Sequence, residues 1–154
     1  MRYAETTTVS EDRSRAEIER NLKRYGATGF MYGWSGTDAM IGFVVRSRQI
    51  KLVVPLPDKN ADEFRYTPVQ RFVRSPKQQQ DSYDQAVRQR WRALALYVKA
   101  TLEAIEVGIL TFDDAFLAYT ALPGGATVGQ WMQPQIEAAY ATGRMPPLLP
   151  MLGE

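Results

Sequence analysis

The 154-residue sequence contains no cysteine and no histidine. Without cysteine the chain has no disulfide bond, no thiolate nucleophile and no cysteine-ligated zinc or iron–sulfur site. Without histidine it has no Ser-His or Cys-His catalytic pair and no imidazole metal ligand. An enzyme built from the remaining residues would have to use carboxylates, lysine, tyrosine or a carboxylate-bound Mg²⁺. We therefore expect a non-enzymatic protein that needs no cofactor.

Long apolar runs are also missing from the sequence. No stretch approaches the ~20 apolar residues that a membrane-spanning helix requires, and residues 1–6 lack the apolar core of a secretory signal. The composition, 45% hydrophobic and 23% charged residues, is typical of a soluble globular protein. We expect a cytoplasmic protein without a membrane partner.

The charge that is present is distributed unevenly along the chain. The net charge is only +2, and residues 1–43 are neutral. Residues 44–99 carry 12 basic and 5 acidic side chains, whereas residues 100–154 carry 1 basic and 6 acidic side chains. A basic middle followed by an acidic end favours one surface that attracts a polyanion.

The first half of the sequence predicts a helix and a small antiparallel sheet. Residues 11–25 have helical apolar spacing, with a Ser14-x-x-Glu17 capping box and Gly26 in the position that ends a helix. Alternating apolar residues and tight turns predict three to four strands. These are residues 29–34, 39–45 and 49–55, with the β-branched run in residues 3–9 as the candidate fourth strand.

The second half is predicted to be helical, after an irregular basic loop over residues 58–81. Ser82 begins a capping box and a long helix to about residue 108. Shorter helices are predicted at residues 111–120 and from residue 127 to Gly143, the last with a break at Pro134. The tail, residues 146–152, is apolar enough to need a packing partner. The whole chain is predicted to form one α+β domain, divided into residues 1–57, 58–81 and 82–154.

Several stretches resemble a family of uncharacterised proteins of tailed phages and prophages. They are Arg15-Ala16-Glu17-Ile18-Glu19-Arg20, Arg24-Tyr25-Gly26-Ala27, Gln89-Arg90-Trp91-Arg92-Ala93-Leu94 and Gly143-Arg144-Met145-Pro146. The resemblance implies a phage or prophage setting, and hence the cytoplasm of a bacterial host cell. The family looks like a group found among replication and recombination genes. It supplies no activity and no catalytic residue for this chain.

The basic middle contains the candidate functional residues. Guanidinium groups that pair with phosphates, beside rings that stack on bases, are the components of a nucleic-acid groove. The predicted phosphate contacts are Arg46, Arg48, Lys51, Arg65, Arg71, Arg74, Lys77, Arg88 and Arg92, with Tyr66 or Phe72 as the stacking ring. We expect an accessory protein that binds single-stranded DNA, with a salt slope of about −4 to −5 if roughly six side chains meet phosphates. The simpler interpretation is a solvated surface, partly neutralised by neighbouring acids.

The main alternative is a protein-interaction module, an adaptor or an inhibitor of a host factor, without nucleic-acid binding. Its basic face would dock on an acidic protein. Trp34 and Trp131, with Phe30, Tyr32 and the apolar tail, could form a partner surface or a homo-oligomer interface, and equally an ordinary core.

The weaker candidates are acidic and glycine-rich. Asp113-Asp114 or Glu103 with Glu106 could bind a metal ion in a carboxylate enzyme, although acids at these helix positions are more often capping or solvated residues. Residues 124–129 could hold an anion before a helix, but they lack a Walker lysine and a full Rossmann spacing, which favours a simple turn.

Overall fold

The computed structural model describes residues 4–145. It confirms the predicted α+β class: an N-terminal helix, a three-stranded antiparallel sheet, a long helix and further short helices. In chain order the elements are α1 (Glu11–Tyr25), β1 (Gly29–Ser35), β2 (Asp38–Val45), β3 (Arg48–Pro55), α2 (Asp62–Arg65), α3 (Pro76–Glu106), α4 (Phe112–Ala115), a 3₁₀ helix (Leu117–Tyr119) and α5 (Val128–Thr142).

The sheet has the order β1-β2-β3, with two-residue turns between neighbouring strands. The turn between β2 and β3 consists of Arg46 and Ser47, whose φ angles of 50° and 66° are those of a type I′ hairpin turn. The three predicted strands are confirmed. The candidate fourth strand is wrong for residues 4–9, whose backbone is turn and irregular, and Tyr3 lies outside the described residues. Instead of a strand, the Gln85 amide of α3 donates to the carbonyl of Thr7 at 2.8 Å.

One face of the sheet packs against helices and forms the core. β2 and β3 alternate buried apolar residues with more exposed ones, as the period of a strand requires. α1 covers this face with Ile18 and Leu22, and α3 covers it with residues one helical turn apart. The α3 residues in the core are Trp91, Ala95, Val98 and Leu102, and Phe112 and Phe116 complete the cluster.

α1 begins at Glu11, the earlier of the two predicted starts (Glu11 and Arg15), three residues before the predicted Ser14 capping box. The Ser10 hydroxyl accepts the N–H of Arg13 at 3.2 Å, and the acids Glu11 and Asp12 lie in the first turn, where the helix dipole favours them. The Ser14 capping box is therefore wrong, because Ser14 lies buried inside the helix. Gly26, with φ of 116°, ends α1 as predicted.

α3 also begins earlier than predicted. Ser75 and Gln78 form the capping box, and Pro76 occupies the first turn, where its missing N–H costs no helical hydrogen bond. The capping box at Ser82 is wrong, since the Ser82 hydroxyl accepts a hydrogen bond from the Arg74 guanidinium at 2.7 Å. The predicted loop therefore contains the short helix α2 and the first six residues of α3.

The last part of the chain differs from the prediction at two places. The helix expected over residues 111–120 is α4 followed by the 3₁₀ helix, whereas α5 continues through Pro134 without the expected break. The Gln135 amide donates to the carbonyl of Trp131 at 3.3 Å beside this proline. Gly143 ends α5 with φ of 68°, as predicted. The apolar tail lies outside the described residues. No helix within residues 4–145 combines the length and the apolar character needed to cross a membrane.

Candidate nucleic-acid interface

Residues 65–74, called the basic hairpin below, form a tight projection before α3. Tyr66 and Val73 form an isolated β-bridge, and the N–H of Thr67 donates to the carbonyl of Phe72 at 2.9 Å. The Thr67 hydroxyl accepts the N–H of Phe72, also at 2.9 Å. Arg71 has a positive φ of 52°, which reverses the chain at the tip. Local hydrogen bonds therefore order a segment that the sequence predicted to be irregular, with a short strand within residues 64–73 as an open alternative; the structure has a single β-bridge there.

The base of the basic hairpin is fixed to the start of α3. Phe64, which is 3% exposed, packs edge-on against the Tyr83 ring, with 5.6 Å between the ring centres. The Arg74 guanidinium donates to the Glu63 carbonyl at 3.1 Å and to the Ser82 hydroxyl at 2.7 Å. The predicted phosphate contact Arg74 therefore ties the hairpin to α3.

The tip of the basic hairpin, by contrast, is open to solvent. The Phe72 side chain is 64% exposed. The Arg71 guanidinium lies 5.4 Å from the centre of the Tyr66 ring and 3.5 Å from an Asp62 oxygen, and its side chain is 67% exposed. Asp62, Tyr66 and Arg71 border a hollow of about 230 Å³ between α2 and the hairpin. A stacking ring and a cation are thus within reach of one ligand.

The predicted contacts on α3 differ in their availability. The Lys77 ammonium donates to the Asp81 carboxylate at 2.8 Å, and this hydrogen bond raises the pKa of Lys77. The Arg88 guanidinium donates a hydrogen bond to the Gln85 side-chain oxygen at 2.6 Å. Arg92 pairs with Glu17 of α1 at 2.6 Å, and both side chains are only 22% exposed. Lys77 remains available at the surface, whereas Arg92 connects the two helices.

The remaining predicted contacts, in residues 46–51, form a separate turn patch. Arg48 lies 3.8 Å from Asp113, which places this patch beside α4 and the C-terminal end of α3. The basic hairpin packs near Tyr83, at the other end of α3. The helix between Tyr83 and Glu106 is about 35 Å long at ~1.5 Å per residue. The turn patch and the basic hairpin therefore lie at opposite ends of α3.

Some of the predicted contacts have no strong partner among the described residues: Arg46 and Arg65 are exposed, and Lys51 is half-buried. Within residues 4–145 the side chains of Arg46, Lys51 and Arg65 form no ion pair or hydrogen bond. Lys59, which was not among the predicted contacts, lies 5.8 Å from the centre of the Tyr83 ring at the base of the basic hairpin. In the sequence, Lys59 could have been identified as a candidate contact from its position in the predicted basic loop, after Pro57. Lys59 and Arg65 extend the positive charge around the hairpin.

The acidic and glycine-rich candidates have local structural roles. Thr111 caps α4 by accepting the N–H of Asp114, and Asp113 faces Arg48. No group of three or more carboxylates suited to a metal ion occurs in the described part of the chain. Gly124 and Gly125 have φ of 96° and 95° in a turn, and the capping box of Thr127 satisfies donors at the start of α5.

The aromatic candidates divide between surface and core. Trp34 is 73% exposed and Trp131 is 47% exposed. Tyr32 contacts the buried Trp91 edge-on, with 5.4 Å between the ring centres, and Phe30 packs at the margin of the core. The two tryptophans thus belong to the surface, where they are open to a partner.

No family model, no curated protein and no solved structure matches the chain in comparisons with known proteins.

Proposed function

We propose that this chain is a non-enzymatic accessory protein that binds single-stranded DNA through the basic hairpin and the first turn of α3. The observation that carries the proposal is the hairpin tip, where the Arg71 guanidinium lies 5.4 Å from the centre of the Tyr66 ring and the adjacent residue Phe72 is 64% exposed. An exposed ring beside a cation can stack on a base while the cation meets its phosphate.

Single strands are favoured over duplex because stacking needs an open base face. In a duplex both faces of each base are covered by neighbouring base pairs, so Phe72 would have to unstack them. In a single strand the ring can bind any base without a sequence preference. Binding is therefore expected to depend weakly on sequence and strongly on strandedness.

The charge near the hairpin limits the number of phosphate contacts. Arg74 and Arg92 are bound within the protein, and the turn patch lies at the other end of α3. The cations left around the hairpin are Lys59, Arg65, Arg71 and Lys77. Four contacts on a single strand, at about −0.7 each, give a salt slope of about −3. This is shallower than the slope expected when all basic clusters were taken together.

The resemblance to phage and prophage proteins supports a setting in phage replication or recombination. Single-stranded DNA is an intermediate of both processes, so a protein of this type would act in the cytoplasm of the bacterial host. The proposal assigns it a binding role only.

Fluorescence anisotropy with labelled oligothymidine and a duplex control, at two salt concentrations, tests this function. We expect Phe72→Ala to lose about 1–3 kcal/mol of binding free energy through lost stacking, and Arg71→Glu to weaken binding further. Arg46→Glu in the turn patch is the matched control and should change affinity little. Absence of binding at low salt, or an equal loss from Arg46→Glu, would overturn the proposal.

A protein-interaction module is the second candidate, and the apolar part of the same tip favours it. Val69 and Val73 are 91% and 74% exposed on the basic hairpin. Exposed apolar groups in one place are typical of protein contacts. A partner captured from nuclease-treated host lysate by the wild type, and lost with Val69→Asp but kept with Arg71→Glu, would favour this candidate over DNA binding.

A further inference from the structure

Strand β1 lies at an edge of the sheet with one row of backbone groups unused. The two-residue turn closes on the pair Ser35–Asp38, so that pair is hydrogen-bonded and the bonding then alternates along the strand. It follows that Phe30, Tyr32 and Trp34 direct their N–H and C=O groups away from β2. Within residues 4–145 no hydrogen bond reaches these outward backbone groups.

β1 also lacks the features that usually protect an edge strand. Its sequence, Gly29–Ser35, contains no charged residue and no proline. Met31 is 62% exposed and Trp34 is 73% exposed. Natural edges are blocked by charges, by proline or by a covering segment, because an open edge pairs with other strands.

The opposite edge, β3, has all three protections. Lys51 and Pro55 lie within the strand, and Arg48 begins it. The segment after the 3₁₀ helix covers its first half, where Ile50 bridges Thr120 and the N–H of Ala121 donates to the carbonyl of Gln49 at 2.8 Å. The contrast singles out β1 as the edge that is open to strand addition.

We propose that β1 pairs antiparallel with β1 of a second copy of this chain, about a two-fold axis at Tyr32. In this register Tyr32 lies opposite the second Tyr32, and Phe30 lies opposite Trp34. Every outward-facing residue then meets an outward-facing residue, so each unused N–H and C=O gains a partner. The two three-stranded sheets become one continuous sheet.

The side chains of β1 are complementary to themselves in this register. Met31 lies opposite Gly33 of the second copy, on the sheet face away from the helices. A Cβ at Gly33 would meet only the end of Met40, at 4.0 Å, so the glycine leaves open space there. On the other face Trp34 lies against Phe30, a favourable cross-strand aromatic pair.

A second copy fits this edge better than a charged peptide. Because the strand is uncharged, two copies meet without like charges facing each other. The aromatic residues at positions 30, 32 and 34 are spaced evenly about Tyr32, so two antiparallel copies of the strand place aromatic residues opposite one another. The interface does not include the basic hairpin, and the inference stands independently of DNA binding.

Sedimentation velocity over a range of concentrations tests the association, with a matched pair of variants. Met31→Lys and Val53→Lys both place a charge at an exposed apolar position on the same sheet face, at opposite edges. We expect a dimer that Met31→Lys weakens at least tenfold, while Val53→Lys leaves it unchanged. Trp34→Pro removes an outward N–H together with the indole that faces Phe30 of the second copy; an edge strand tolerates the proline, so the variant should be a folded monomer by circular dichroism.

The register is tested by disulfide cross-linking, since the chain has no other cysteine. Mixed Met31→Cys and Gly33→Cys chains should cross-link, because opposite residues are about 4.5 Å apart at the Cα atoms. Either variant alone should cross-link poorly, because its two cysteines are diagonal neighbours about 7–8 Å apart. A monomer at all concentrations, a dimer insensitive to Met31→Lys and Trp34→Pro, or equal cross-linking by each variant alone would overturn the proposal.

Discussion

Helices α1 and α5 have the same length and the same kinds of ends, yet they differ in how they are held. Each has 15 residues, a hydroxyl side chain at its N-cap and a glycine with positive φ after its last residue. α1 buries Ile18 and Leu22 and packs on α3, whereas no residue of α5 is buried. Capping signals therefore decide where a helix begins and ends, and the apolar face decides how firmly the fold holds it.

α5 is joined to the fold at its first turn. The N–H of Val128 donates to the carbonyl of Thr120 at 2.9 Å, and Gly129 lies against Ala118 of the 3₁₀ helix. Farther along, Trp131, Ile136 and Tyr140 remain exposed. The three experiments below measure how firmly each of the two helices is held.

The largest expected effect is in the core below α1. Leu22→Ala removes a fully buried side chain and should lower the free energy of unfolding by about 2–5 kcal/mol. Ile136→Ala, at a position in α5 that is 40% exposed, should cost less than about 1 kcal/mol. Urea unfolding followed by circular dichroism measures both. Similar losses for the two variants would show that α5 is held as firmly as α1.

A smaller and more local effect is expected at the junction of α5. A Cβ at Gly129 would lie 2.9 Å from the Ala118 carbonyl oxygen, which is too close for any real side chain. Gly129→Ala should therefore displace α5, at a cost of about 1–3 kcal/mol, and raise hydrogen exchange in α5 but not in α1. Gly42→Ala is the control, since its Cβ would have only ordinary contacts, the nearest at 3.6 Å. Unchanged exchange in α5 would contradict this account of its attachment.

The smallest expected effect concerns the ion pair that joins α1 to α3. Removing Arg92 or Glu17 should cost about 1 kcal/mol, because the pair is partly shielded from solvent. A double-mutant cycle with Arg92→Ala and Glu17→Ala isolates this interaction, and its coupling energy should fall with added salt. A coupling energy of zero would mean that apolar packing alone holds α1. Arg92→Ala should leave DNA affinity unchanged.

Much of the fold could be predicted from local patterns. The three strands and the glycines after α1 and α5 follow from strand alternation, turn residues and the positive φ that glycine accepts. The errors in the starts of α1 and α3 occurred where two serines could each cap the helix. Ser10 competed with Ser14, and Ser75 competed with Ser82. Pattern alone did not show that Arg74 would occupy the Ser82 hydroxyl.

The candidate site was less predictable, because it depends on contacts between distant residues. Charge counting identified the basic segment, but it did not show that Glu17 would pair with Arg92, 75 positions away. It also did not place the turn patch and the basic hairpin at opposite ends of α3. The length of α3 separates cations that the charge count had grouped in one basic segment, residues 44–99.

The three tryptophans of the chain lie in three different surroundings: the core, the β1 edge and the start of α5. Trp91 is fully buried in the core, Trp34 is exposed on β1, and Trp131 is half-exposed at the start of α5. Variants that keep a single tryptophan would therefore carry a built-in fluorophore for each region. Quenching by a soluble agent would report core unfolding, closure of the β1 edge and movement of α5 as separate optical signals.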